Sequence, residues 1–397
     1  MHKSVDHILI THTGSLPRGQ ELNDLLIADE AGESVDQRKL AEMIDTRVAY
    51  VMEKQREAGV DVANDGEQGR VGFQTYVPKR MSGFGGESKR PFGREWVELP
   101  LFTQKFMARL PKTGKVFGCP EAVGELKYTD KEAIKTELAR FKRHAGAVKS
   151  AFPEMFFAEP SPGIIATTML NAYYKTYEDY LSAIAREMHY EYKSVVDAGL
   201  ILQIDAPDLA MERHRFFDGL TDVEFLRQLE LHVAAINVGI ADIPRERIRL
   251  HVCWGNNDGP HIYDIAMAAI LPELYRANVG GLSIEFANPR HQHEYDALRS
   301  NPLPAHMLLM PGVLDTTTNF VEHPELVARR LEEAVSAVGD RERVIAGTDC
   351  GFGTFAGREY VAEEIVWVKL AAAAEGARIA SRRLWGRGAP ASAVGGR

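Results

Sequence analysis

The chain has 397 residues, of which 45% are hydrophobic and 26% are charged, a composition that is ordinary for a globular protein. Its formal net charge is −9, and it contains neither a basic run nor an acidic tail. We therefore expect no nucleic acid and no anionic membrane among its partners, because their phosphate groups call for a basic face.

The signals that would direct a chain out of the cytoplasm are missing from this sequence. Residues 1–13 lack the apolar core of a secretory signal, and no stretch reaches the roughly 18 apolar residues of a membrane span. The three cysteines, Cys119, Cys253 and Cys350, are too few for a disulfide framework. Sparse, unpaired cysteines are typical of a reducing compartment, so we expect a cytoplasmic protein.

Short apolar runs alternate with longer amphipathic runs along the chain, which is typical of repeated βα units and a parallel sheet. The pattern predicts strands at 7–11, 60–64, 155–158, 200–204, 248–252, 281–284, 307–310 and 344–347. It predicts helices between and after them at 35–58, 131–150, 177–198, 222–241, 262–277, 290–299, 324–338 and 360–383. Eight such units predict an α/β fold, a (β/α)₈ TIM barrel that forms a single catalytic domain over residues 1–385.

A long interruption, residues 66–153, separates the second predicted strand from the third. Alternating patterns around 96–101 and 115–117 predict a β-hairpin there, and the helix at 131–150 follows it. We expect this β-hairpin and helix insertion to lie over the barrel mouth. The tail, residues 386–397, is rich in Gly, Ala and Ser and is predicted to be disordered.

Polar residues of the kinds that bind metals and substrates follow the predicted strands. In such barrels the chemistry is carried by the carboxyl ends of the strands and by the loops after them. The candidates at those positions are, in chain order, Gly14, Ser15, Arg18, Asp65, Glu67, Asp205, His251, Cys253, Glu285, Asp315 and Cys350.

Four of these residues predict a zinc site. His251 and Cys253 are two apart at a strand end, so their side chains point the same way. Glu285 and Cys350 follow the sixth and eighth predicted strands, so they lie at the same barrel mouth. Imidazole and thiolate ligands favour zinc over magnesium or calcium, with Glu285 as the fourth ligand or a partner of one.

A zinc ion with two cysteine ligands favours attack by a thiol over attack by water. Coordination converts a bound thiol, whose pKa is otherwise about 8.5, into a thiolate. Zinc hydrolases more often use histidines and carboxylates. The sequence therefore predicts an enzyme that joins a small-molecule thiol acceptor to the carbon of an alkyl donor.

Further strand-end residues are candidates for substrate binding. Asp65, Glu67 and Asp205 form an acidic rim that suits an ammonium group. The backbone amides of Gly14 and Ser15 and the Ser15 hydroxyl suit a carboxylate or a sulfonate.

Three residues have roles that the sequence leaves more open. Arg18 is an anion ligand or a salt-bridge partner. Asp315, after the seventh strand, and His261, which follows Gly259 and Pro260, are the candidate catalytic acid–base residues. The alternative for His261 is a surface or helix-capping histidine.

The combined motifs resemble the cobalamin-independent methionine synthase family, specifically its C-terminal catalytic barrel, over residues 7–385. The resemblance rests on Thr13-Gly14-Ser15-Leu16-Pro17, Asp65-Gly66-Glu67, Gln203-Ile204-Asp205, His251-Val252-Cys253, Glu285 and Asp349-Cys350-Gly351. It implies that the His, Glu and two Cys residues bind zinc. It also implies that Glu67 and Asp205 contact the homocysteine amine, with Gly14 and Ser15 at the carboxylate.

Other motifs are similar to the epoxyalkane:coenzyme M transferase branch, in which coenzyme M opens an epoxide. They are residues 249–255, 259–261, 205–209 and 289–291. The chain also departs from the methionine synthase pattern where a tryptophan that stacks on folate is replaced by Ala172. A proton-donating histidine is likewise replaced by Thr317. These departures leave the donor open.

We expect a zinc-dependent S-methyltransferase, with homocysteine as the thiol and methionine as the product. The alternative is opening of an epoxide by a zinc-bound thiolate, for which Arg18, Lys79 and Arg80 would hold the tail of the thiol. A remote alternative is a metal-free enzyme like uroporphyrinogen decarboxylase. A homodimer and a partner protein that delivers the methyl group also stay open.

Overall fold

A computed structural model describes residues 1–109, 113–115, 117–148 and 152–386 of the chain. The predicted disordered tail, beyond residue 386, and the last residues of the predicted 131–150 helix lie outside this part. Six strands form one parallel sheet, in which neighbours in the chain are neighbours in space. They are Val62–Ala63, Glu154–Pro160, Ile201–Asp205, Ile248–Val252, Gly281–Ile284 and Leu308–Pro311.

Isolated parallel bridges close this sheet into a barrel. Thr11 pairs with Val62 at one edge of the sheet, and Gly312 pairs with Gly347 at the other. Ile10 and Ala346 then pair with each other, so the segments around them are the first and eighth strands. The predicted (β/α)₈ barrel is confirmed.

Helices follow the strands and cover the outside of the barrel. The α-helices are Gln20–Glu30, Gln37–Ala58, Arg94–Glu98, Pro100–Ala108, Lys131–Ala147, Pro162–Thr168, Tyr177–Asp197, Asp222–Gly239, Met267–Leu274, Tyr295–Ser300, Pro324–Val338 and Glu363–Trp385. Short 3₁₀ turns lie at Val77–Lys79, Pro207–Leu209, Met211–His214, Arg245–Arg247 and Arg341–Arg343. Local sequence sets several boundaries: Thr221 and Glu224 form a capping box at the start of one helix, and Gly59 ends another in the left-handed conformation.

The insertion after the second strand contains the expected antiparallel pair, but at different residues. Met81–Gly85 pairs with Glu121–Tyr128, whereas the predicted strand at 96–101 is wrong. Those residues belong to two short helices, the second of which begins at Pro100, a favoured first helical residue. Trp96 packs against Phe106 across the pair of helices, with ring centroids 4.6 Å apart.

The interior of the barrel contains a buried arginine. Arg249 donates to Gln203 Oε1 at 2.7 Å, to Thr11 Oγ1 at 3.0 Å and to the His12 carbonyl at 2.9 Å. Its guanidinium carbon lies 3.6 Å from the centre of the Phe156 ring. These contacts satisfy a charge that would otherwise be costly to bury.

Among the described helices, none combines the length and the apolar character that a membrane crossing requires.

Candidate active site

A buried group of three metal-ligand side chains lies at the carboxyl ends of the strands. His251 and Cys253 come from the end of Ile248–Val252, and Cys350 follows the eighth strand. One donor atom from each lies within 4.8 Å of the other two. His251 Nε2 is 3.7 Å from Cys350 Sγ. The strand ends therefore bring together three of the four predicted ligands.

The protonation of this group suits a soft divalent cation. Burial, helped by the charge of Arg249, lowers the pKa of His251 to about 3, which leaves the neutral imidazole that binds metals. A hydrogen bond with Cys253, together with burial, raises the pKa of the Cys350 thiol. A bound dication would supply the positive charge that the two thiolates need, so the donor set fits such an ion.

Glu285, the fourth predicted ligand, lies beside this group but outside it. Its Oε1 accepts a hydrogen bond from the Trp254 N–H at 3.1 Å. Its Oε2 accepts from Asn288 Nδ2 at 2.7 Å and from Arg290 at 3.1 Å. Burial raises the pKa of this carboxyl, with Arg290 acting in the opposite direction.

Asp349 joins the loop that carries Glu285 to the loop that carries Cys350. Its carboxylate accepts hydrogen bonds from the backbone N–H groups of Phe286, Ala287 and Asn288, at 2.8 to 2.9 Å. The Asn288 side chain donates to it as well, at 2.8 Å. A Cβ at Gly312 would overlap the carboxylate, so only glycine fits there. Asp349 is therefore a positioning residue for both loops.

Glu67 and Asp205 lie in the wall of the same pocket as the three ligands. Both are buried, and Glu67 Oε2 has no hydrogen-bond partner in the described part of the chain. Burial raises the pKa of Glu67, and burial with the nearby Glu67 carboxylate raises the pKa of Asp205. A cation that enters between them would relieve both effects.

Ser15 also lines the pocket, close to Cys350. Its carbonyl accepts from the Phe352 N–H at 2.8 Å, which ties the first loop to the eighth. A Cβ at Gly351 would overlap Ser15 Oγ, so glycine is needed there. Gly14 permits the approach of Glu67, whose Oε1 would be 2.6 Å from a Cβ at that position.

Arg18 and Asp65 support these loops from outside the pocket wall. The fully buried guanidinium of Arg18 donates to the carbonyls of Gly353 and Glu67. Asp65 Oδ1 accepts from the Glu67 N–H at 2.9 Å, and Glu67 has a left-handed backbone with φ of 54°. Arg18 therefore connects the loops of Gly353 and Glu67 and does not line the described pocket.

The two candidate acid–base residues make their hydrogen bonds outside the pocket wall. His261 Nδ1 lies 3.2 Å from Asp264 Oδ1 in a buried cluster. Asp315 accepts from both the N–H and the hydroxyl of Thr317 at 2.8 Å, and from Thr318 at 3.2 Å. Neither lies in the pocket wall.

Three arginines that the sequence analysis did not single out line the outer part of the pocket: Arg90, Arg215 and Arg358. They come from three separate loops and carry no shared motif. The arginine and lysine named with the alternative function are used elsewhere, since Arg80 pairs with Glu191 and Lys79 pairs with Asp29.

Comparison with known proteins relates this site to a family. Residues 166–373, more than half of the chain, match a family model described as the catalytic domain of the cobalamin-independent synthase. This region contains Asp205 and all four predicted metal ligands.

Relatives extend the similarity to most of the chain. A methionine synthase of Sulfurisphaera tokodaii is 24% identical over 380 residues, which cover 95% of this chain and 94% of that protein. Protein YxjH of Bacillus subtilis is 25% identical over 373 residues, or 90% and 91% of the two chains. The structure of a B12-independent methionine synthase from a Shewanella species shares the fold, with a TM-score of 0.68 at 20% identity, over 95% and 99% of the two chains. Because the family model matches more than half of the chain, this chain belongs to the cobalamin-independent methionine synthase family.

Proposed function

We propose that this protein is a zinc-dependent S-methyltransferase that converts homocysteine to methionine. The observation that carries the proposal is the presence, in one pocket, of the buried His251, Cys253 and Cys350 group and of the Glu67 and Asp205 pair. Membership of the family supports methyl transfer, and the relative from Sulfurisphaera tokodaii is named a methionine synthase.

Zinc would be held by His251, Cys253 and Cys350, with Glu285 as the fourth candidate. When bound, zinc lowers the pKa of a thiol so that its sulfur is ionised at neutral pH. Two thiolate ligands suit this task better than the activation of water, for which histidines and carboxylates are more usual.

The other pocket residues would hold the amino-acid end of homocysteine. Glu67 and Asp205, whose pKa values burial raises, would take the ammonium group and become ionised in its presence. Ser15 and the backbone at Gly14 would take the carboxylate. Fixing both groups aligns the sulfur with the methyl carbon, which is the contribution of positioning to the rate.

The transfer itself exchanges one bond for another. A bond forms between the homocysteine sulfur and the methyl carbon, and the bond from that carbon to its leaving group breaks. The leaving group keeps the electron pair of the broken bond and takes up one proton, which replaces the proton that the thiol lost to solvent. Neither Thr317 nor Asp315 lines the pocket, so we expect another pocket group or solvent to supply that proton.

Zinc K-edge absorption tests the proposal directly. We expect one zinc per chain with two sulfur neighbours at about 2.3 Å, rising to three when homocysteine is added. Homoserine, which has the same shape without the sulfur, is the matched control and should leave the count at two. A rise with coenzyme M alone would favour the epoxide-opening alternative, and a count that no thiol changes would refute thiol activation.

The carboxylate pair should matter only for thiols that carry an amine. In Glu67→Gln and Asp205→Asn variants we expect the KM for homocysteine to rise about 30-fold, since a buried charge pair is worth about 2 kcal/mol or more. The inhibition constant of 4-mercaptobutanoate, which lacks the amine, should change little. Equal losses for both thiols would contradict this role and indicate general damage to the pocket.

A further inference from the structure

The three arginines lie where the thiol pocket meets a second cavity. Arg90, Arg215 and Arg358 line both spaces. The second cavity has a volume of about 270 Å³, against about 70 Å³ for the inner pocket. A molecule in this outer cavity would therefore reach the inner pocket past the arginines.

The positive charge at this junction is only partly neutralised. Arg90 forms an ion pair with Glu212 and donates to Thr168 Oγ1 at 3.2 Å. Arg358 donates to the Tyr360 hydroxyl at 2.9 Å and forms no ion pair with the described residues. Arg215 forms neither a hydrogen bond nor an ion pair through its side chain in the described ranges, and its buried Nε has no partner. Among the described residues, Arg215 and Arg358 therefore form no ion pair, although Glu212 and Glu95 lie near enough to Arg215 to oppose the lowering of its pKa.

The surroundings of Arg215 make an anion the natural complement. Gly255 lies two residues after Cys253, and a Cβ built there would be 3.1 Å from the Arg215 guanidinium. Arg215 and Gly255 both line the inner pocket. Burial lowers the pKa of Arg215 to about 10, with Glu212 acting in the opposite direction, and the group stays charged at neutral pH. A half-buried guanidinium without a partner gains most from a charge-assisted hydrogen bond.

Apart from the three arginines, Thr113 and Lys115, the outer cavity is lined mainly by apolar residues. Phe92, Trp96, Phe106 and Met107, from the insertion, form much of its wall. The Arg358 guanidinium lies 5.5 Å from the centre of the Phe106 ring, which places the cationic and aromatic surfaces together. Such a wall suits an apolar or aromatic body attached to the anionic group.

We propose that Arg215 and Arg358, with Arg90, bind the second substrate, an alkyl donor that carries an oxyanion group and an apolar body. The oxyanion is a carboxylate, sulfonate or phosphate, and the body lies in the outer cavity. The inference rests on the proposed thiol alkylation, in which the inner pocket is already filled by the amino-acid thiol. The outer cavity, which shares three arginines with the inner pocket, then has room for the donor.

Benzenesulfonate is a probe with both features, and its binding to the zinc-loaded full chain can be measured by calorimetry. We expect its Kd to rise at least about tenfold in Arg215→Gln and in Arg358→Gln, because a hydrogen bond to a charged group is lost. Arg276→Gln is the matched control, since Arg276 is exposed and pairs with Glu230 and Glu273, which do not line either cavity. Benzyl alcohol, which has no charge, should bind the native chain at least about tenfold more weakly than benzenesulfonate does.

Zinc absorption with both molecules present separates this inference from the proposed function. We expect the third sulfur from homocysteine to persist at saturating benzenesulfonate. Loss of that sulfur, or equal binding of benzenesulfonate to native and variant chains, would overturn the donor assignment alone. A sulfur count that no thiol raises would overturn the proposed function and, with it, the donor assignment.

Discussion

Alanine in place of Cys350 is expected to abolish both zinc binding and methyl transfer. Cys350 supplies one of three ligands that lie within 4.8 Å of one another, and nothing else in the described pocket wall offers a second thiol besides Cys253. Even an outer partner of a metal ligand is worth about 10–100-fold in affinity, so loss of a ligand should cost more than about 100-fold. Zinc content after gel filtration and turnover of homocysteine measure the two effects.

Cys119→Ala is the matched control for this experiment. Cys119 is also buried, but it lies in the insertion, with its sulfur 3.8 Å from the Lys115 carbonyl. Burial raises the pKa of the Cys119 thiol to about 11, so it is a neutral apolar side chain. The variant should keep its zinc and its activity. Full zinc content in Cys350→Ala, or loss of zinc in Cys119→Ala, would contradict the assignment of the ligands.

Asp349→Ala should produce the largest loss of stability among substitutions near the site. The carboxylate accepts from three backbone N–H groups, of Phe286, Ala287 and Asn288, and from the Asn288 side chain. Each buried donor left without a partner costs about 1–3 kcal/mol, so the free energy of unfolding should fall by at least about 3 kcal/mol. The loop that carries Glu285 should lose its position as well. Urea denaturation and zinc content report these two effects.

Asp315→Ala provides the comparison for Asp349→Ala. Asp315 accepts three hydrogen bonds, against four for Asp349, and they come from a single partly buried turn that water reaches. We expect a loss of stability of about 1 kcal/mol or less, because solvent replaces the lost acceptor. Equal losses in the two variants would show that Asp349 does not join the loops in the way described.

The barrel was predictable because its strands and helices carry distinct patterns. All four residues of Leu308–Pro311 are apolar and buried, so an uninterrupted apolar run marks that strand. The insertion was harder to predict. Trp96 belongs to the stretch 96–101, which has an alternating pattern, and only its packing against Phe106 across two short helices shows the helical alternative. Local spacing does not report such contacts between elements.

Some residues of the candidate site could likewise be predicted from the sequence, and others could not. His251, Cys253 and Cys350 were predictable, because strand ends in a barrel meet and these side chains have few uses there other than metal binding. Arg215 and Arg358 were not, since they come from loops whose paths are set by tertiary packing. His261 was singled out on its motif alone, and it lies outside the described pocket wall, buried against Asp264.

The arginine inside the barrel affects two titratable groups at the mouth, Asp205 and His251. Arg249 lies two residues before His251, and burial lowers its pKa to about 9, so it is protonated at neutral pH. Its electrostatic potential favours the ionised form of Asp205 and the neutral form of His251 at once. A residue inside the barrel therefore helps to set the protonation states of side chains at the barrel mouth. If Asp205 and His251 were transferred to another barrel, an arginine equivalent to Arg249 would have to be transferred with them to keep their pKa values.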